Sequence, residues 1–358
     1  MSKRRFLIAA FLLLGPLMAG CMADPLPTST PTPTPDPAFA LLLGGASPTQ
    51  PPRSSPTPLI QTATPLPATP TDTPSPTAVT PTAEVTPSPE PTGSPTPTAP
   101  PPTPDDGLPP DHYWMERPIP NGWTDYLDRT YAYGATAGGQ YRPHVGADFW
   151  NPVGTPVVAV GNGTIVHAGG DQDVLFGPRL DFYGKLIVLQ LSDYTYQGQP
   201  IFALYGHLSE VYVETGQEVP VREILGAVGG EGVANGGAHL HFEVRIGDPQ
   251  DYFTSTRNPD LWIKPYYGYG TLAGRVVDSS GAYLPEVGIT VRGPDMTRYT
   301  WTYAGSENVP DAEWGENFTL GDLPEGWYTV TTRSASRTYT EEIYVRAGRT
   351  AWVEFVFE

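Results

Sequence analysis

The chain has 358 residues, a formal charge of −18, 44 prolines and a single cysteine. One cysteine excludes an intramolecular disulfide, so any folded part must stand on an apolar core or a bound metal. The acidic balance excludes a phosphate-backbone binder, whose affinity comes from Lys and Arg displacing counterions, and no nucleic-acid partner is expected.

Lys3, Arg4 and Arg5 precede an apolar run over residues 6–14, and the small pair Ala19-Gly20 stands before Cys21. A charged start, a short apolar stretch and a small-residue site read as a secretory signal over residues 1–20, too short to span a bilayer. The order Leu17-Met18-Ala19-Gly20-Cys21 resembles a bacterial lipobox. The resemblance implies that Cys21 is acylated and fastens the protein to the outer face of a membrane; the alternative is a secreted protein with an incidental cysteine. More than one acyl chain makes a durable anchor, since each buried CH2 contributes about 0.8 kcal/mol. The expected location is the cell envelope, outside the cytoplasm.

Residues 21–110 are Pro, Thr and Ser with almost no aromatics. Such a segment cannot bury a core and is expected to be a disordered stalk. In polyproline II, at about 3.1 Å per residue, it reaches roughly 250 Å at most, which suits a tether. Composition changes after Asp111, where Trp114, Trp123, Tyr126 and Tyr131 appear. Residues 111–266 read as β structure, with short apolar runs at 157–160 and 186–189 and glycine-rich turns at 161–163 and 229–232. No stretch offers an amphipathic helix.

Residues 267–358 alternate apolar and polar residues at 272–277, 288–291, 327–332, 342–345 and 351–357, the pattern of a small β-sandwich. The segments Gly274-Arg275-Val276-Val277-Asp278 and Phe318-Thr319-Leu320-Gly321-Asp322-Leu323-Pro324 resemble carboxypeptidase-regulatory-like domains. Trp301, Tyr303, Trp314 and Trp327 are expected to pack its core, the alternative being sugar stacking. The predicted fold class is mainly β: an antiparallel-sheet domain followed by a small β-sandwich, preceded by a long disordered Pro/Thr-rich linker.

Four of the six histidines, with one aspartate, carry the chemistry. His144 and Asp148 lie in Arg142-Pro143-His144-Val145-Gly146-Ala147-Asp148, where Pro143 and Gly146 disfavour a helix and a loop or strand edge is expected. His239 and His241 lie in a predicted strand whose period of two puts both on one face, with Leu240 and Phe242 toward the core. His207 ends an apolar run that begins at Ile201. Imidazoles with one carboxylate and no thiolate suit zinc, which in hydrolases keeps a position open for water. Any one of these histidines alone reads as a packed core or surface residue; it is their combination that points to a site.

H-x-x-x-D, Y-x-H-L-S and H-L-H-F-E together resemble the pattern of the lysostaphin-type zinc endopeptidases, and the likeness covers about residues 138–265. It implies two antiparallel sheets forming a groove over the metal, and hydrolysis of peptide cross-links in peptidoglycan. Residue by residue, it makes His144, Asp148 and His241 the zinc ligands and leaves His207 and His239 as the catalytic pair. Either can take a proton while the other stabilises an oxyanion. Glu243, on the face of His239 and His241, is a candidate for orienting a ring, with a salt bridge or a solvated carboxylate as alternatives. Tyr141 is expected in core packing, the alternative being to line the groove and donate to the transition state. The chain departs from the family's G-N-x-V-x-I-x-H strand at Lys185 and Leu191, and its segment 169–183 is longer and is expected to form a groove wall, so substrate specificity does not carry over. The rival reading is an inactive peptidoglycan-binding or amidase-activating relative; retention of all five polar residues favours an enzyme.

Overall fold

The computed structural model describes residues 107–358; the signal, Cys21 and nearly all of the Pro-rich segment lie outside the described residues. Nine strands build one sheet: β1 (Ala147–Trp150), β2 (Pro156–Val158), β3 (Gly163–Gly170), β4 (Lys185–Tyr196), β5 (Gln199–Val211), β6 (Glu218–Val219), β7 (Ile224–Val228), β8 (His239–Ile246) and β9 (Thr256–Arg257). The main path runs β1-β8-β5-β4-β3-β6, with β7 joining β2 to β5 and β9 flanking β8. Every pairing in it is antiparallel. Tyr196 pairs with Gln199 across a two-residue turn in which Gln197 (φ 51°) and Gly198 (φ 76°) both take positive φ. That geometry matches the right-handed twist of the strands it joins.

Alternation assigns each face. On β4, Ile187, Leu189 and Leu191 enter the main core, while Leu186 and Val188 enter a smaller cluster on the opposite face with Phe176, Tyr183, Phe202 and Leu204. On β8, Leu240, Phe242 and Val244 enter the main core as predicted. Burying each such side chain contributes about 1.5–3 kcal/mol, enough to fix the strand's register. The opposite face of β8 therefore has to carry His239, His241, Glu243 and Arg245.

The remaining strands are β10 (Tyr269–Asp278), β11 (Gly288–Arg292), β12 (Thr297–Trp301), β13 (Phe318–Pro324), β14 (Gly326–Arg333), β15 (Thr338–Val345) and β16 (Thr350–Phe357). They form a three-stranded sheet, β13-β10-β16, and a four-stranded sheet, β12-β11-β14-β15. A second core of Leu272, Val276, Ile289, Val291, Phe318, Tyr328, Val330 and Phe355 lies among these strands. The pair β10 and β16 is parallel. β12 escapes the sequence pattern because it is an edge strand on which only Thr300 is buried.

A seam of specific contacts joins the two groups of strands. Trp314 packs into the core of the nine-stranded sheet. Asp260, in the 3-10 turn Pro259–Leu261, accepts from Arg129 (2.6 Å) and from the hydroxyl of Thr319 (2.9 Å). Ala304 N donates to Gly134 O at 2.9 Å, and the Tyr133 and Tyr303 rings meet edge to face at 5.1 Å.

Candidate metal centre and catalytic groove

Register brings the motif together. In the antiparallel pair β1–β8, Asp148 stands opposite His241 and Trp150 opposite His239. Residues so paired are side-chain neighbours, whatever their separation in sequence. His144 arrives from the loop before β1, as expected. Gly146 lets that loop approach: a Cβ there would lie 2.5 Å from Phe242 O and 2.9 Å from the His241 ring. β5 pairs with β8 up to Gly206, opposite His241. His207 then takes a left-handed conformation (φ 62°), and pairing with β7 shifts between Leu208 and Glu210. Such a conformation costs a non-glycine residue about 1–3 kcal/mol and re-aims the side chain out of the ladder.

Three atoms converge at the centre. His144 Nε2 lies 3.1 Å from His241 Nδ1, His241 Nδ1 lies 3.0 Å from Asp148 Oδ1, and His144 Nε2 lies 3.3 Å from the same oxygen. Donors sharing a tetrahedral cation at about 2.0–2.1 Å stand about 3.3 Å apart, so the set fits zinc. The outer nitrogens are already committed: His144 Nδ1 donates to Tyr131 O (2.6 Å), and His241 Nε2 donates to Glu243 Oε1 (2.9 Å). With those protons placed outward, two lone pairs and a carboxylate face one another, and the arrangement calls for positive charge between them. The electrostatics agree. Burial opposes ionisation of Asp148, yet the His144 and His241 rings outweigh it and hold the carboxyl well below its usual range. Burial also opposes an imidazolium at His241, but Asp148 and Glu243 push that ring up to about 9.

His207 and His239 stand beside this centre, their ring centroids 5.0 Å apart. His207 Nδ1 donates to Glu231 O at 2.7 Å, and His239 Nδ1 donates to Gly237 O at 2.8 Å. Each therefore presents an unprotonated Nε2. Burial, reinforced by the neighbouring His241 and His239 rings, pushes His207 down to about 3, and burial lowers His239 as well. Both are neutral bases across the physiological range.

A second tier fixes the first. Glu243 lies between His241 and Arg245, whose Nε donates to its Oε2 at 2.7 Å, and it also accepts from the hydroxyl of Tyr183. Burial opposes its ionisation, but Arg245 and His241 bring its carboxyl down to about 2. Of the alternatives open for Glu243, it takes both the ring-orienting and the salt-bridge role. Arg245 was readable as the next step of the His239, His241, Glu243 alternation. Tyr131 stacks on His144 at 4.2 Å. Asn308, from the loop between β12 and β13, donates to His144 O at 2.6 Å.

The five predicted residues line one groove of about 580 Å3, together with Tyr131, Tyr141, Trp150, Phe182 and Tyr252. Tyr141 is 41% exposed and sits at this wall, not in the core. From segment 169–183 only Phe182 reaches the groove. Most of that segment is held by Asp171, which accepts from the backbone N–H groups of Phe182, Tyr183 and Gly184.

This chain is similar in sequence to several known proteins. The chain is 33% identical over 108 residues to the peptidoglycan DD-endopeptidase ShyC of Vibrio cholerae, covering 30% of this chain and 21% of that protein. It is 30% identical over 155 residues to lysostaphin of Staphylococcus simulans, covering 43% and 28%. A lipoprotein NlpD/LppB homolog of Pseudomonas aeruginosa is 33% identical over 107 residues, covering 30% and 31%. The chain thus spans between about a fifth and a third of these relatives' lengths. Residues 142–252, which carry all five groove residues, match the model of Peptidase family M23.

Proposed function

We propose that the protein is a zinc-dependent endopeptidase that cuts peptide cross-links of peptidoglycan at the cell envelope. His144, Asp148 and His241 would hold the metal, and His207 and His239 would handle protons. The observation that carries this reading is the trio of atoms 3.0–3.3 Å apart, on rings whose outer nitrogens are taken by Tyr131 O and Glu243, beside two neutral histidines in one groove. The names of the peptidoglycan endopeptidase and lysostaphin relatives support the substrate class.

When bound, zinc supplies Lewis acidity and lowers the pKa of a water it holds toward about 7. The chain's own groups do the rest. Nε2 of His207 and Nε2 of His239 offer two places where the proton of the attacking water can be taken up and from which it can pass to the departing amine. Whichever ring has gained the proton can donate to the oxygen of the attacked carbonyl. The carbonyls of Glu231 and Gly237 keep both rings oriented through the cycle. The same reading divides the chain at residues 111–266 and 267–358 and assigns residues 21–110 as a tether fastened through acylated Cys21.

The test is metal content of the full chain, measured beside release of peptide fragments from purified peptidoglycan with and without a chelator. About one zinc per chain and chelator-sensitive release are expected. Zinc with no release from any wall type, or release that ignores the chelator, would overturn the proposal.

A further inference from the structure

The catalytic groove does not end at the nine-stranded sheet. Thr130 and Ala137 line both it and a second groove of about 420 Å3, whose far wall is made by Glu286, Trp301 and Thr302 of the sandwich. We propose that this second groove is a glycan subsite, in which Trp301 stacks on an amino-sugar ring of the strand whose stem peptide lies in the catalytic groove. The proposal rests on the peptidoglycan reading above and adds a binding site that belongs to the C-terminal strands.

Three observations carry it. First, the floor is built rigidly onto the catalytic residues. Gly134 N donates to His144 O (2.7 Å), Ala304 N donates to Gly134 O, and Tyr131, next to Thr130, stacks on His144. Only glycine fits at position 134, where φ is 80° and a Cβ would sit 2.4 Å from the Tyr303 ring. Second, Trp301 is 44% exposed on the edge strand β12, unlike its buried neighbours Tyr303 and Trp314. Its cross-strand partner is Gly288, and a Cβ there would lie 3.7 Å from the indole Nε1. The nitrogen-bearing edge of the indole thus lies near the Gly288 backbone, and the half-exposed side chain lines the groove. Third, the polar groups suit an uncharged ligand. Glu286, held by the Thr136 hydroxyl at 2.8 Å, offers a carboxylate that accepts from hydroxyl or acetamido groups and repels an anion.

Aromatic face plus acceptor is the chemistry that recognises a neutral sugar, whose C–H face is apolar and whose rim is hydroxylated. The two grooves adjoin through Thr130 and Ala137, and a stem peptide extends about 3.3–3.6 Å per residue, so a peptide lying in one can carry its sugar into the other.

The experiment compares the full-length wild type with W301A and W301F in two assays. Binding to peptide-free glycan strands, read by calorimetry, should weaken about five- to tenfold in W301A and much less in W301F. Cleavage efficiency should fall by a similar factor on intact peptidoglycan and stay unchanged on a cross-linked peptide without sugar. Equal strand binding by wild type and W301A, or an equal loss on the sugar-free peptide, would overturn the subsite. If the wild type binds strands through Trp301 but cuts neither substrate, the peptidase reading fails and the glycan site stands.

Discussion

The molecule buries histidine with carboxylates in two places, and only one of them is built as a site. In the groove, the outer nitrogens of His144 and His241 are spent on Tyr131 O and Glu243, and the inner atoms converge on one point where positive charge is favoured. At the seam, His112, Asp311 and Glu316 are equally buried, but three of the four carboxylate oxygens face donors. Asp311 accepts from Tyr196 (2.7 Å) and from the backbone N–H groups of Glu313 and Trp314. Glu316 accepts from Tyr303 (2.8 Å) and from Asp311 N (2.9 Å). Aromatic rings close over His112, with Trp262 at 4.3 Å. Burial and composition are thus shared, and what differs is the direction of the lone pairs and access to a groove. The first arrangement leaves its inner atoms to a cation from outside; in the second the chain's own donors meet Asp311 Oδ1 and both Glu316 oxygens, and His112 Nε2 stands 3.3 Å from Asp311 Oδ2.

Asp148→Ala should separate the two most sharply. It removes the one carboxylate of the trio and leaves the seam untouched, so zinc content and cleavage should both disappear while the chain stays folded. His207→Ala should instead keep the metal and lose about 10²–10⁴-fold in turnover, the usual worth of one proton-transfer group. Metal analysis beside a cleavage assay distinguishes these outcomes. A His207→Ala protein that cuts at the wild-type rate would remove His207 from the mechanism.

A smaller effect is expected one step further out. Glu243→Gln weakens the hold on His241 Nε2 and should lower zinc affinity about 10–100-fold, measured by competition with a chromophoric chelator. It also leaves buried Arg245 without its counter-charge, a loss of about 3–5 kcal/mol, so affinity and unfolding should be measured together. Tyr183→Phe removes only the hydroxyl that donates to Glu243 and should weaken zinc less. Unchanged affinity in both variants would reduce Glu243 and Arg245 to an ion pair with no bearing on the metal.

How much of this is legible in the sequence follows from how local each cause is. The period of two along β8 places His239 and His241 on one face, and Glu243 and Arg245 follow by the same rule. The pairing of Asp148 with His241 is non-local, and only the resemblance to the lysostaphin-type motifs implied that the two share a site. Tyr131, Tyr183 and Asn308 were not readable, because each reaches the site from a loop whose position depends on tertiary packing. Asn308 lies 164 positions from His144, and no local pattern announces its bond. The sandwich aromatics were expected in its own core; Tyr303 and Trp314 are buried, but Trp314 joins the core of the nine-stranded sheet, Trp327 is half-buried and Trp301 is exposed. A strand at a sheet edge can keep a large ring outside without losing its register, and composition does not say which strand is the edge.

The last predicted effect lies in the seam and concerns pH. Burial, aided by the nearby Asp311 charge, raises the Glu316 carboxyl from 4.5 to about 8. A carboxyl raised on folding contributes stability that is fully present below its unfolded pKa and is lost as pH rises through its folded one. Between pH 4.5 and about 8, Glu316 should therefore erode stability as pH rises, by at most about 1.4 kcal/mol per pH unit. Glu316→Gln keeps one acceptor for Tyr303 or for Asp311 N and removes the titration, so its urea midpoint should depend less steeply on pH in that window. Other groups titrate in both proteins, and the difference in slope belongs to Glu316. Parallel slopes would mean that Glu316 is as ionised in the seam as in the unfolded chain. The two clusters would then differ in lone-pair direction alone, since neither would hold its charge by keeping a proton.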